Sequence, residues 1–361
     1  MIRVAMITRS TLFTTSGGDT VQVMQTAKHL RELGVLVDVK LTTEQIDYDQ
    51  YSMLHFFNII RPADILYHIH RSGKPYVVST VFVDYSEFEK QYRSGMPGML
   101  FSFFPADGIE YLKTISRRLL LRDSLRSWWY LVNGQRRSVK KIINNASLLL
   151  PNSTSEYDRL TKRYSVNTKH EIVTNGVDVS FFNFENTHAK NDLLVLCVAR
   201  IEGIKNQLNL IKAINGTEYR LLLIGSPAPN QSSYYNACRK VAGNNVSFIG
   251  QVGREELRKY YQMAKVHVLP SWFETTGLSS LEAAVMGCNI VITDKGDTRE
   301  YFGDAAFYCD PSSPASIHKA IDNAAHAQVN TSLQHKIRTM HTWQQAAGQT
   351  KNAYLKVIEQ P

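Results

Sequence analysis

Two carboxylates lie in a short stretch whose residue types suit the binding of a polar, phosphorylated molecule. Within residues 270–284, Glu274 stands near the start and Glu282 near the end. The apolar run 266–269 before them predicts a buried strand that a proline ends. Residues 278–286, which a glycine follows, predict a helix. The pattern therefore predicts a strand, a loop and a helix start, with one carboxylate on the loop and the other on the helix.

This order of elements decides which chemistry the stretch can support. In an open α/β sheet the loop lies at the carboxyl end of the strands, where ligands bind. The helix start offers free N–H groups and a positive dipole end to a phosphate. Arg200 and Lys205 follow another predicted strand, 193–198, and two cations there suit a pyrophosphate. The alternative is that both are solvated surface charges. With Glu274 and Glu282 they predict a site for a ligand with hydroxyl groups at both ends and phosphates in the middle.

The elements that must position these residues alternate along the chain. Apolar runs of strand length are followed by helical stretches, which predicts an α/β protein with parallel sheets. A chain of 361 residues is long enough for two domains, each with its own core. The sequence turns polar around residues 183–191, and we predict the domain boundary there.

The first domain holds two further candidate positions. Gly17 and Gly18 stand where the first predicted strand leads into a helix, and paired glycines let the backbone approach a ligand closely. The alternative is a plain turn. Asp84 follows the predicted strand 76–82, where polar side chains are candidates for a ligand site. A helix cap is an equally good interpretation of Asp84.

The net charge of +9 is concentrated in the segment 113–141. Against one aspartate, this segment carries nine cations, which are Lys113, Arg117, Arg118, Arg122, Arg126, Arg136, Arg137, Lys140 and Lys141. Leucines and tryptophans are interleaved with them, which suggests a surface that lies against anionic lipid headgroups. The alternative is a helix that packs its apolar stripe into the core. Nucleic acid is a weaker third hypothesis, because no binding motif accompanies the charge.

Other sequence features indicate the cellular compartment of the protein. No apolar run approaches the ~20 residues that a membrane helix needs, and the chain opens on a predicted strand rather than a signal peptide. The four cysteines have no metal-ligand spacing and predict buried, reduced thiols. We therefore expect a cytoplasmic protein without a metal site.

The residues described above resemble those of a known family, the retaining glycosyltransferases of family four, also called glycosyl transferases group 1. The family pattern of Pro-Ser, two residues, Glu, seven residues and Glu-Ala is matched from Pro270 to Ala283. The turn 175–178 resembles the Asn-Gly-Val-Asp turn of the family, and Arg200 with Lys205 resembles its Arg and Lys pair. Residues 343–354 resemble its closing helix. Each match is weak by itself, but their order and spacing together are specific, and they cover nearly the whole chain.

The resemblance implies a GT-B fold. Two Rossmann-like parallel-sheet domains would face each other across a cleft, and the C-terminal helix would cross back to the first domain. We accordingly expect an acceptor-binding domain over residues 1–185, joined by the returning helix at 340–361, and a donor-binding domain over residues 186–339. No cofactor is implied, because the nucleotide sugar is a co-substrate.

The resemblance also implies roles for the candidate residues. Arg200 and Lys205 would neutralise the diphosphate leaving group, Glu274 would bind hydroxyl groups of the donor sugar, and Glu282 would accept hydrogen bonds from the ribose. The backbone N–H groups of Thr276, Gly277 and Leu278 would hold phosphate or sugar. Gly17 and Gly18 would let the first domain close on the diphosphate. The reaction would transfer a sugar with retention and would need no metal ion.

The chain departs from the family pattern at two positions, and the departures leave the donor sugar open. Thr275 and Thr276 replace the common Gly-Phe after the first glutamate, and no histidine follows the fourth strand, so that Asp84 is a candidate to take its place. Relatives that build surface polysaccharides act on lipid-linked acceptors at the cytoplasmic membrane face, which favours a peripheral membrane role for 113–141. A nucleotide-sugar hydrolase or epimerase, or a non-enzymatic nucleotide-binding protein, remains as an alternative.

Overall fold

The computed structural model divides the chain into two compact units. The structure describes residues 2–15, 17–85, 88, 107–112, 114, 127–183 and 189–359. Unit 1 consists of Met1–Thr174 and Trp343–Pro361, and unit 2 consists of Asn175–Thr342. Five of the nine cations of the basic segment and the stretch 89–106 fall outside the described residues, so the hypotheses about Lys113, Arg117, Arg118, Arg122 and Arg126 are not examined by the structure.

Unit 1 is built on a five-stranded parallel sheet with the order β2-β1-β3-β4-β5. Its strands are β1 (Arg3–Thr8), β2 (Leu36–Leu41), β3 (Met53–Phe57), β4 (Tyr76–Ser79) and β5 (Leu148–Leu150). In the described ranges its helices include α1 (Gly18–Glu32), α2 (Pro62–Ser72), α3 (Trp128–Asn145), α4 (Thr154–Tyr164) and, from the end of the chain, α12 (Trp343–Ile358), and residues 107–112 are helical as well. Every residue of β3 and β4 is buried, as expected for central strands of a sheet covered by helices on both faces, and the three residues of the edge strand β5 are buried as well.

A buried hydrogen bond joins the closing helix α12 to the sheet of unit 1. The Tyr354 hydroxyl lies 2.6 Å from Nδ1 of His55 on β3, and the other ring nitrogen of His55 lies 2.8 Å from the Ser79 hydroxyl on β4. Burial lowers the pKa of His55 to about 3, so the ring is neutral and bonds on both sides. The C-terminal helix therefore belongs to unit 1, because its tyrosine satisfies a histidine inside that core.

Unit 2 is built on a six-stranded parallel sheet with the order β11-β10-β9-β6-β7-β8. Its strands are β6 (Asn191–Val198), β7 (Arg220–Ile224), β8 (Val246–Gly250), β9 (Ala264–Leu269), β10 (Asn289–Thr293) and β11 (Phe307–Cys309). Its helices are α5 (Gln207–Ile214), α6 (Ser232–Val241), α7 (Arg254–Met263), α8 (Leu278–Val285), α9 (Thr298–Phe302), α10 (Pro314–His326) and α11 (Thr331–Met340). Two apolar clusters flank this sheet, and the four cysteines are all buried and free.

The division between the units differs from the predicted boundary at 185/186. Residues 175–185 belong to unit 2 because the Asn-Gly-Val-Asp turn bonds into it. Asp178 forms an ion pair with Arg254 of α7 at 3.0 Å, and the Val177 N–H donates to the carbonyl oxygen of His341 at 2.9 Å. The polar stretch that suggested the boundary lies after these contacts. The division follows the hydrogen bonds of the turn, which polarity along the chain does not reveal.

Candidate active site

The loop between β9 and α8 carries the residues for which the sequence predicts a phosphate site. Leu269 ends the strand, and Gly277 precedes the helix with φ of +70°, a left-handed conformation that favours glycine. No side chain caps this helix. The N–H groups of Ser280 and Leu281 already donate to the Gly277 carbonyl oxygen. The helix start thus carries its positive dipole end without a side-chain cap, as an anion site requires.

Glu274 is the best-supported carboxylate of this loop. Its side chain is buried, and its Oε2 accepts hydrogen bonds from Lys205 Nζ at 2.7 Å and from the Ser271 hydroxyl at 3.1 Å. In the described part of the chain no hydrogen bond reaches its Oε1. The carboxylate is therefore held at one oxygen, and the other can accept a hydrogen bond from a ligand.

The backbone around Glu274 is fixed by a close approach of Gly296. The Glu274 N–H donates to the carbonyl oxygen of Lys295 at 3.1 Å, and the Asp297 N–H donates to the carbonyl oxygen of Glu274 at 3.0 Å. Gly296 has φ of +104°, and a Cβ added there would lie 2.0 Å from that Glu274 oxygen. Only glycine fits between the two segments, so the glycine determines where the carboxylate stands.

The predicted cations lie on the connection that follows β6, and each has a carboxylate partner. Lys205 ends a short 3-10 turn and pairs with Glu274. The Arg200 guanidinium pairs instead with Glu202 at 2.9 Å, and its side chain is 41% exposed. Sequence reasoning placed both cations on a diphosphate, and no contact of the structure decides that role. The structure adds that Lys205 and Glu274 belong to one site.

Glu282 lies on α8 in a partly buried position beneath a tyrosine. Its Oε2 accepts a hydrogen bond from the Tyr261 hydroxyl at 3.1 Å. Burial raises the pKa of Glu282 to about 7, against the opposing effects of the Tyr261 hydrogen bond and the Arg254 charge. The nearby Asp178 adds to the rise. Glu282 therefore changes its charge close to neutral pH, whereas an exposed glutamate is ionised there.

Thr276 and Leu278 occupy the positions predicted for donor contacts, and the structure gives the Thr276 side chain a partner that the sequence did not suggest. Thr276 is 1% exposed, and its Oγ1 accepts a hydrogen bond from Asn175 Nδ2 at 2.9 Å. Ser271, Asn175 and Tyr261 are thus missed members of the site. The first two stand in quoted family motifs, but nothing in their spacing indicates these contacts.

In unit 1, Gly17 and Gly18 stand at the start of α1, as predicted. Gly17 is the residue before the helix, and its N–H donates to the Thr20 hydroxyl at 3.2 Å. Beside this turn, Arg9 pairs with Asp19 at 2.6 Å. Burial by itself raises the pKa of Asp19, but the Arg9 hydrogen bond and charge outweigh it and lower the pKa below its usual value. An ion pair that sequence reasoning missed therefore stiffens the glycine turn.

Asp84 lies in a pocket of unit 1 beyond the end of β4. Its carboxylate is 3.8 Å from the Arg163 guanidinium, which also pairs with Asp107 at 2.8 Å. Gln135 and Tyr164 line the same pocket. The side chain is thus placed in a polar recess with a cation, which is compatible with a sugar contact. Asp84 remains a candidate, because no contact tests its predicted role.

Glu156 on α4 is a buried carboxylate that the sequence analysis did not single out. It is 0% exposed and accepts hydrogen bonds from the Phe82 N–H at 2.7 Å, from the Asn152 N–H at 2.9 Å and from the Thr80 hydroxyl. These donors lie where β4 and β5 end. Glu156 therefore ties together the two loops that carry the pocket around Asp84.

Apart from Thr114, the described part of the basic segment begins at Ser127. Tyr130 is fully buried, whereas Trp128 is 78% exposed and Val132 is 80% exposed. These two residues are four positions apart on α3 and share one helical face. Packing of the whole apolar stripe into the core is therefore wrong for this part of α3. In the described ranges no helix has the length and apolarity to cross a membrane, and no cluster of three metal-ligand side chains occurs.

The fold of the two units defines a structural class. Two α/β units with parallel sheets match GT-B glycosyltransferase structures, so the predicted fold class is confirmed. HepE of Anabaena in complex with UDP-glucose, for example, has a TM-score of 0.69 and 13% identity, covering 99% of this chain and 100% of that chain. Residues 178–340 match the family model described as glycosyl transferases group 1, so the predicted resemblance is confirmed for this part of the chain.

Two curated relatives match part of the chain. D-rhamnosyltransferase WbpZ of Pseudomonas aeruginosa is 29% identical over 117 residues, which cover 31% of this chain and 30% of that protein. O-antigen chain mannosyltransferase B of Escherichia coli is 28% identical over 113 residues, which cover 30% of each protein. The chain thus aligns with only about three-tenths of the length of these two relatives.

Proposed function

We propose that this protein is a retaining glycosyltransferase that moves a sugar from a nucleotide-sugar donor to an acceptor without a required metal ion. The observation that carries the proposal is the arrangement of Glu274, Lys205 and the uncapped start of α8. This arrangement combines a carboxylate, a cation and a helix start that can bind an anion, all within the residues that match the family model. The complex of HepE with UDP-glucose supports a nucleotide-sugar donor.

The proposed reaction exchanges one bond at the anomeric carbon of the donor sugar for another. The bond to the diphosphate oxygen breaks, the acceptor hydroxyl oxygen bonds on the same face, and its proton passes to the departing diphosphate. Charge develops on the diphosphate, where Lys205, Arg200 and the α8 N–H groups would stabilise it. Glu274 Oε1 would accept a hydrogen bond from a sugar hydroxyl and orient the anomeric carbon. Glu282 would take the ribose, and Asp84 would contact the acceptor or the sugar.

The acceptor that we propose is a lipid-linked saccharide in the synthesis of a surface polysaccharide, at the cytoplasmic face of the membrane. The names of the rhamnosyl and O-antigen mannosyl relatives support the polysaccharide. Trp128 and Val132 support the membrane, because an exposed tryptophan next to an exposed valine suits the interface between headgroups and acyl chains. Arg137 and Lys140 follow on the part of α3 beyond a break at Gly134, and their charges would favour anionic headgroups.

Transfer is tested with a panel of UDP-, GDP- and other nucleotide sugars, each with and without a lipid-linked saccharide acceptor. We expect one donor to give an acceptor-dependent product with retained configuration, in EDTA as well as in buffer. Glu274→Gln should lower the rate by at least about a hundredfold, the order of a lost electrostatic group, with unchanged circular dichroism. Glu255→Gln is the matched control, since this side chain is 69% exposed. Acceptor-independent hydrolysis alone would indicate a hydrolase, and unimpaired transfer by Glu274→Gln would contradict the assigned role.

Membrane docking is tested by cosedimentation with vesicles that contain anionic lipid. We expect the double variant Trp128→Ser with Val132→Ser to bind more weakly by roughly tenfold or more, since each buried CH₂ contributes about 0.8 kcal/mol. Met340→Ser in unit 2, at a residue 58% exposed, should leave binding unchanged. Equal binding of the double variant and the wild type would refute the peripheral role of this face.

A further inference from the structure

The two segments through which the chain enters and leaves unit 2 lie side by side. The chain enters at Asn175 and leaves after Thr342. Val177 and Thr342 pair as a parallel bridge, and the Val177 N–H donates to the carbonyl oxygen of His341. The Asn-Gly-Val-Asp turn is therefore part of the entry segment. Asn175, the first residue of this turn, has no function assigned so far.

Asn175 joins this entry segment to the loop that carries Glu274. Its side-chain amide donates to Thr276 Oγ1 at 2.9 Å, and its backbone N–H donates to the Tyr301 hydroxyl at 3.2 Å. Asn175 is 5% exposed and Thr276 is 1% exposed, so water cannot readily replace the bond between them. The Tyr301 ring in turn packs against His341, with ring centroids 5.0 Å apart. One buried asparagine thus connects the loop, α9 and the segment that leaves the unit.

The position of Thr276 makes this contact important for the loop. It lies two residues after Glu274 and directly before Gly277, at the turn into α8. The loop is held at Glu274 by the close approach of Gly296, and on the other side of the turn by α8. Between these points, Thr276 carries the buried side-chain hydrogen bond. Its loss would free the part of the loop between Glu274, which is proposed to orient the sugar, and the start of α8.

We propose that Asn175 is a positioning residue for the donor loop, which it holds through Thr276 and couples to the segments that enter and leave unit 2. This inference rests on the proposed function, because positioning matters only if the loop binds a donor. Thr276 then serves the loop rather than the sugar. Of the two threonines that depart from the family pattern, Thr275, which is only partly buried, is left to determine the choice of sugar.

Hydrogen exchange of the loop tests the structural half of the proposal without any ligand. In Asn175→Ala and Thr276→Val we expect the amides of residues 274–278 to exchange roughly fivefold faster, the effect of one net hydrogen bond. Thr276→Ser keeps the hydroxyl and should exchange like the wild type. The double variant should exchange no faster than either single variant, because both remove the same bond. Unchanged exchange in both single variants would overturn the proposal.

Steady-state kinetics with the donor identified by the panel tests the catalytic half. We expect Asn175→Ala and Thr276→Val to lower kcat by roughly fivefold or more while the Kd of the free nucleoside diphosphate stays within about twofold, since the loop orients the sugar. Thr276→Ser should restore kcat. Thr217→Val is the matched control, because it removes a threonine hydroxyl bonded elsewhere in unit 2. Faster loop exchange with unchanged kcat would refute the positioning role, whereas a wild type without transfer would refute only the proposed function.

Discussion

Replacing Glu282 with glutamine should make the protein more stable at neutral and alkaline pH. The Glu282 carboxyl is partly enclosed under the Tyr261 hydroxyl, and burial raises its pKa from 4.5 to about 7. Arg254 and the tyrosine act in the opposite direction, and Asp178 reinforces the rise. Glutamine keeps an oxygen for the Tyr261 hydroxyl and cannot ionise. The substitution therefore removes the cost of a buried charge and preserves the hydrogen bond.

The sign and size of the effect follow from proton linkage. Between pH 4.5 and about 7 the folded protein holds a proton on Glu282 that the unfolded chain releases. The free energy of unfolding that this group contributes therefore decreases as pH rises through that window, and it levels off above the folded-state pKa. At about 1.36 kcal/mol per pKa unit, a rise from 4.5 to about 7 corresponds to about 3 kcal/mol.

The assay is urea unfolding of the wild type and Glu282→Gln at pH values from 4 to 8. We expect the stability difference in favour of the variant to be lowest near pH 4 and to grow by about 3 kcal/mol towards pH 8. Glu255→Gln, at an exposed site, should follow the wild type at every pH. If the curves of the wild type and Glu282→Gln stay parallel across this range, the carboxyl is not buried in the folded state as described.

Two further substitutions test the packing that supports the site and the closing helix. Gly296→Ala would place a methyl group 2.0 Å from the Glu274 carbonyl oxygen and should cost at least about 3 kcal/mol of stability in urea unfolding. Gly73→Ala, at a left-handed helix end where the added carbon meets nothing within 4 Å, should cost only about 1–2 kcal/mol, and equal losses would contradict the close approach. Tyr354→Phe leaves a buried ring nitrogen of His55 unsatisfied and should lower stability by about 1–3 kcal/mol in the same assay, so an unchanged midpoint would count against the tether of the closing helix.

The local elements could be predicted from the sequence because their signals are local. The apolar run 266–269 identifies β9, and the helix predicted over 278–286 is α8 with one residue fewer at its end. The prediction of a closing helix from Trp343 holds because the structure continues it to Ile358. Hydrophobic period and glycine stops act within a few residues, so they need no knowledge of the rest of the chain.

The candidate site was predicted in part. Glu274 and Lys205 were chosen from separate motifs, and the structure brings them to 2.7 Å because β6 and β9 are neighbours in the second sheet. That neighbourhood is a property of strand order, which spacing along the chain does not give. The prediction that α3 packs its apolar stripe into the core holds for one residue and fails for another, since Tyr130 is buried and Trp128 is exposed. An apolar stripe predicts burial, but the neighbouring elements decide which of its members are covered.

The sequence by itself determined the α/β class, the strands and helices of the donor loop, and the identity of the residues that can hold hydroxyl and phosphate groups. These follow from periodicity, from glycine and proline chemistry, and from side-chain type. The tertiary structure alone decided that burial raises the pKa of Glu282 to about 7 and that the Thr276 side chain bonds to Asn175. Both depend on which distant side chains close around a group and remove it from water, and burial of that kind exists only once the chain has folded.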